Sequence, residues 1–97
     1  MGLYLVQHKH TAETCPTKNP EMVRALAGHV TEANAAKYGV KILADWVNEP
    51  EHTVILVLEA ANPENAAKFV LPFLSVGSIT IQAGSTCAET ARQCLGG

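Results

Sequence analysis

The chain has little charge. Only 16% of its 97 residues are Asp, Glu, Lys or Arg, and the formal net charge is -2, so no basic face exists for a nucleic acid backbone to track. Nucleic acid is not an expected partner. The longest apolar runs, such as Thr53 to Leu58, fall far short of the ~20 residues that a helix needs to cross a bilayer. No membrane is expected either. A basic segment followed by an apolar run and a cleavage site is missing from the first residues, and three cysteines are an odd number. These features argue against export and a closed disulfide framework, and fit a reducing cytoplasmic setting. Gly77 and Gly84 are isolated, so neither a phosphate-cradling glycine loop nor a nucleophile elbow is present. Aromatics are few: two Phe, two Tyr and one Trp.

What the chain does have is apolar bulk. At 47% hydrophobic and this length it should form one domain, residues 1–97, around a single two-layer core. That share of apolar residues also hints at self-association.

Leu3 to His10 reads as a first strand, with Tyr4, Val6, His8 and His10 on one face and Leu5, Gln7 and Lys9 on the other. Thr11 to Asn19 is polar, holds Pro16, and should be a loop carrying Glu13 and Cys15. Asn19-Pro20-Glu21 opens a helix expected to run to about Tyr38, burying Val23, Leu26, Val30 and Ala33, with Gly39 as its stop. A second strand, Val40 to Val47, should place Val40, Ile42, Ala44 and Trp46 on one face. The third, His52 to Glu59, is apolar on both faces and should be central. Asn62-Pro63-Glu64 repeats the helix start signal for a second helix, bent or ended near Pro72. Val76 to Gln82 is the fourth strand, and Thr86-x-x-Glu89 caps a terminal helix.

Strand, helix, strand, strand, helix, strand packs most economically as a ferredoxin-like α+β sandwich, four antiparallel strands with helices on one face. The element order and length resemble the dimeric α+β barrel superfamily, which includes small monooxygenases and isomerase-like enzymes. The resemblance implies a homodimer or higher homo-oligomer joined through the open sheet face. It carries over no member's catalytic residues.

The chemistry sits at one end of that sheet. Strand direction brings the end of the first strand and the start of the third to one edge, so His8, His10 and His52 should converge, with Glu13 and Cys15 above them and Asp45 nearby. The two imidazoles of His8-x-His10 are about 7 Å apart at Cα, close enough to share an ion. His52, Glu13 or Cys15 would complete a set suited to Zn, Cu, Fe or Ni. The plainer reading is a hydrated strand end with His52 in a turn.

A second expectation is an enzyme with no metal. In it His8 or His10 is the proton acceptor, Tyr38 or Trp46 orients a small-molecule ligand, and Tyr4, Phe69, Phe73, Val23 and Leu26 line a cavity. The plainer reading of those aromatics is ordinary core. A third is an assembly subunit without small-molecule chemistry. His29 is expected to flank the core. Cys87 and Cys94 should be buried against the sheet, leaving Cys15 as the thiol for ligation or reactivity.

Overall fold

Three Asn or Thr side chains start three of the helices. In a computed structural model, which describes residues 2–13 and 15–96, Asn19 accepts from the Glu21 and Met22 N–H groups, Asn62 from Asn65 and Thr86 from Glu89. Each cap satisfies donors that the first helical turn leaves free.

The elements run β1 (Gly2–Lys9), α1 (Pro20–His29), α2 (Glu32–Lys37), β2 (Val40–Asn48), β3 (Thr53–Ala60), α3 (Pro63–Val70), β4 (Ser78–Gly84) and α4 (Cys87–Cys94). Short 3₁₀ turns occupy Pro16–Lys18 and Leu71–Val76. The strands form one antiparallel sheet in the order β2-β3-β1-β4. This is the ferredoxin-like arrangement, with β3 and β1 at the centre.

The core lies on the helix-bearing face. Tyr4 and Val6 of β1 stand opposite Leu58 and Leu56 of β3, and Ala66, Phe69 and Val70 of α3 pack onto them. Phe69, Leu58 and Ala66 are wholly inaccessible to solvent. The α-helical hydrogen bonding of α3 ends at Val70 and a 3₁₀ turn carries the chain through Pro72, because a ring without an N–H cannot continue the ladder.

Three local expectations are corrected. The helix foreseen from Asn19 to Tyr38 is two, because Thr31 caps a new start by accepting from the Asn34 N–H. β-branched Val30 and Thr31 at the joint favour that break. Gly39 ends α2 at φ +70, the left-handed turn that glycine adopts without cost. Next, the simple alternation in β2 fails at a bulge between Ile42 and Ala44. Val40 and Ile42 share the core face with Ala60 and Leu58. Past the bulge Asp45 and Val47 take that face, opposite Leu56 and Val54, while Ala44 and Trp46 turn to the other side. Lastly, Cys87 and Cys94 are exposed rather than buried, since α4 presents every residue to solvent.

Helix α1 also buries less than its pattern implies. None of its residues is fully buried and Val23 is 41% exposed. Between it and the sheet lies a cavity of about 350 Å³ lined by Val23, Leu26 and Val30.

Candidate metal centre and adjoining cavity

The rim is assembled by main-chain pairing. The β2–β3 turn places His52 at φ +51, a left-handed conformation that histidine tolerates better than most side chains. Its N–H donates to the Glu49 carbonyl at 3.0 Å, and its carbonyl accepts from the His10 N–H at 3.1 Å. That last bond extends the β1–β3 ladder by one step and fixes His52 beside His10.

Three imidazoles follow one another along this rim. The ring centroids of His8 and His10 are 5.2 Å apart, and those of His10 and His52 are 5.1 Å apart. The loop after β1 returns Cys15, 6% exposed, so that one ligating atom from each of His10, Cys15 and His52 lies within 4.8 Å of the others. The Cys15 Sγ is also 2.9 Å from the Thr17 hydroxyl oxygen. Around a tetrahedral zinc with one thiolate and two imidazoles the donor atoms stand about 3.4 to 3.6 Å apart. Closing the observed set onto an ion therefore takes about 1 Å of side-chain adjustment.

Among the described residues no hydrogen bond reaches either ring nitrogen of His8, or Nδ1 of His10 or His52, although all four atoms are buried. Leaving such atoms unpaired costs on the order of 1 to 3 kcal/mol each. Burial lowers the pKa of His8 from the ordinary histidine value, and the nearby His10 lowers it further; the main chain of Phe73 opposes this without reaching hydrogen-bond geometry with the ring. Burial and then His52 lower that of His10. Both shifts favour the neutral imidazole, the form that ligates metal.

The cavity opens beside the same rim. His8, His10 and Cys15 form its polar end, Leu26 and Phe73 stand among its apolar walls, and Asp45 and Glu49 also line it. The β2 bulge is what turns Asp45 toward it. Gly77 supports the rim from behind: a Cβ there would strike the Lys9 carbonyl and come within 2.8 Å of His8 Nε2 and 3.0 Å of the His10 Cβ. A glycine inside the stretch expected to be the fourth strand, Val76 to Gln82, is the sequence signal for such a close approach.

The remaining sequence candidates are distributed elsewhere. Glu13 is exposed and outside the His10, Cys15 and His52 group. Phe73, Val23 and Leu26 reach the cavity, whereas Tyr4 lines a shallow groove with Pro63 and Ile81. Phe69 and Tyr38 pack with His29, and Trp46 stands 53% exposed on the open sheet face.

His29 is satisfied within the fold. Its Nε2 meets the Phe69 carbonyl, the Asn34 amide nitrogen is 3.0 Å from Nδ1, and its ring stacks on Phe69 at 5.0 Å. Donation from Nε2 and acceptance at Nδ1 correspond to the neutral ring.

Residues 3–95 match one family, described as a domain of unknown function, DUF3303. The chain belongs to the DUF3303 family. The DUF3303 match takes in all three rim histidines, Cys15 and the cavity walls, so the site lies within the family's extent. No curated protein matches the chain.

Proposed function

We propose that this DUF3303 protein binds a transition metal ion through His10, Cys15 and His52, with His8 behind them. The carrying observation is that two imidazoles and a buried thiol from three separate segments bring ligating atoms within 4.8 Å of one another. A thiolate with two imidazoles favours zinc or copper over harder ions. Three protein ligands leave one position of a tetrahedral ion for water or a small ligand.

Cobalt substitution of the purified full-length chain tests this. A thiolate-bound tetrahedral Co(II) spectrum, at one ion per chain, is expected in the wild type and lost in Cys15→Ser and His10→Ala. His52→Asn, which keeps a residue tolerant of positive φ, should weaken binding without unfolding the turn. A full cobalt spectrum in Cys15→Ser would remove the assignment.

A second reading is a small enzyme of the monooxygenase or isomerase type, in which a histidine works in the apolar cavity. Its support is His8, which lines that cavity with 1% exposure and, among the described residues, no hydrogen-bond partner on either ring nitrogen. Such a ring can accept or deliver a proton when a substrate is in reach.

Self-association through the open sheet face accompanies either reading. Leu5 and Trp46 are 39% and 53% exposed there, on the face shared with Ile55 and Val57. Sedimentation should show an oligomer that Trp46→Glu dissociates; a wild-type monomer would end that part of the proposal.

A further inference from the structure

The cavity has a chemical bias of its own. Its walls are mostly hydrocarbon, contributed by α1, β3 and the 3₁₀ turn through Leu26, Leu56 and Phe73. Against them stand two imidazoles, His8 and His10; His8 is the deeper, 1% exposed, with neither ring nitrogen hydrogen bonded among the described residues. A buried imidazole with no partner is unfavourable, and a fold that only needed to fill this position would be better served by leucine.

The volume sets the size of what fits. At the ~30 Å³ that a water-sized group occupies in a liquid, a cavity of about 350 Å³ has room for about twelve non-hydrogen atoms. The lining also sets the charge. Asp45 and Glu49 are its acidic residues, and their carboxylates repel an anionic head group. A hydroxyl suits His8, the most buried of the other polar side chains in the lining, because it can donate to a ring nitrogen or accept from a ring N–H in either tautomer.

We propose that the cavity binds a neutral, hydroxyl-bearing ring compound of one or two rings, with its hydroxyl on His8 and its hydrocarbon against Leu26, Leu56 and Phe73. This rests on the cavity reading and not on the metal reading. Phe73, whose ring centroid is 5.0 Å from that of His8, offers an aromatic surface beside the hydroxyl position.

The test uses 2-naphthol, naphthalene and 2-naphthoate as probes of equal ring size, titrated into the full-length protein before and after chelator treatment. The expected result is that 2-naphthol binds roughly tenfold more tightly than naphthalene, as one buried hydrogen bond allows. 2-Naphthoate should bind more weakly than 2-naphthol, and chelator should leave the order unchanged. His8→Leu should bring 2-naphthol down to the level of naphthalene, whereas His8→Gln, which keeps a donor and an acceptor, should retain part of the preference. Nitrogen-15 imidazole shifts of His8 on adding 2-naphthol give a readout on the unmutated chain.

Equal binding of naphthol and naphthalene, naphthoate binding as tightly as naphthol, or His8 shifts that do not move would each overturn the hydroxyl assignment while leaving an apolar pocket. Failure of all three probes to bind would overturn the assignment and the cavity reading together. Neither outcome touches the cobalt result, which reports on the metal reading alone.

Discussion

His29 and the rim histidines are the same side chain placed under opposite rules. At the end of α1, one ring has its two nitrogens matched by Asn34 and the Phe69 carbonyl and its face matched by Phe69. At the sheet edge three rings stand about 5 Å apart with four buried nitrogens unmatched among the described residues. A fold that completes one histidine internally is capable of completing others, so the unmatched set is what the metal proposal sets out to explain. The difference separates a histidine whose hydrogen bonds are met inside the fold from histidines on which the proposed metal binding rests.

Breaking the satisfied side should cost most. Phe69→Ala removes the plate under His29 and part of the core, and is expected to lower unfolding free energy by about 3 to 5 kcal/mol, measured by urea titration. His29→Leu keeps the volume but leaves the Phe69 carbonyl and the Asn34 amide without that partner; about 2 to 3 kcal/mol should be lost. A His29→Leu protein as stable as wild type would show that those bonds contribute little.

The rim answers differently. Gly77→Ala pushes a methyl group into the Lys9 carbonyl and His8, and should cost about 2 kcal/mol through overpacking while weakening Co(II) binding, because His8 and His10 move together. Unchanged affinity would separate Gly77 from the site.

Acidification sharpens the contrast through His8 and His10. Their folded pKa values are lowered, chiefly by burial and then by His10 and His52 respectively, from an ordinary value of about 6.5. As pH falls the unfolded chain takes up protons first. Their contribution is therefore complete above about pH 6.5 and is lost as pH drops from there through the lower folded values. Thermal melts of metal-free protein between pH 5 and 8 should follow this course, with a shallower dependence in His8→Leu; an identical slope in that variant would contradict it.

The smallest effect is the most telling. In metal-free protein His8→Leu at pH 7.5 should raise stability by about 1 kcal/mol, since an apolar side chain replaces two unpaired ring nitrogens but gives up the ring's contact with Phe73. A loss as large as that of His29→Leu would mean His8 is structural.

The ferredoxin-like frame was readable because Asn-Pro-Glu twice marks a helix start and β3 is apolar on both faces. The convergence of His8, His10 and His52 was readable from chain direction, since antiparallel pairing of β1 with β3 brings His10 and His52 to one edge. Three features were hidden from periodicity. The bulge after Ile42 leaves the composition of β2 untouched while exchanging the faces of Asp45 and Trp46. The break at Val30 and Thr31 depends on a cap inside a stretch with continuous helical spacing. The space under α1 arises from how far that helix stands from the sheet, which Val23 and Leu26 report only as exposure. Gly77 is legible as an isolated glycine, but its purpose needs the position of His8.

The most direct test of the rim is calorimetric titration of chelator-treated full-length protein with Zn(II) in buffers of different ionisation enthalpy. One ion per chain is expected, with proton release as the Cys15 thiol becomes a thiolate, and with both features lost in Cys15→Ser. No saturable uptake by the wild type, or uptake and proton release unchanged in Cys15→Ser, would contradict the account.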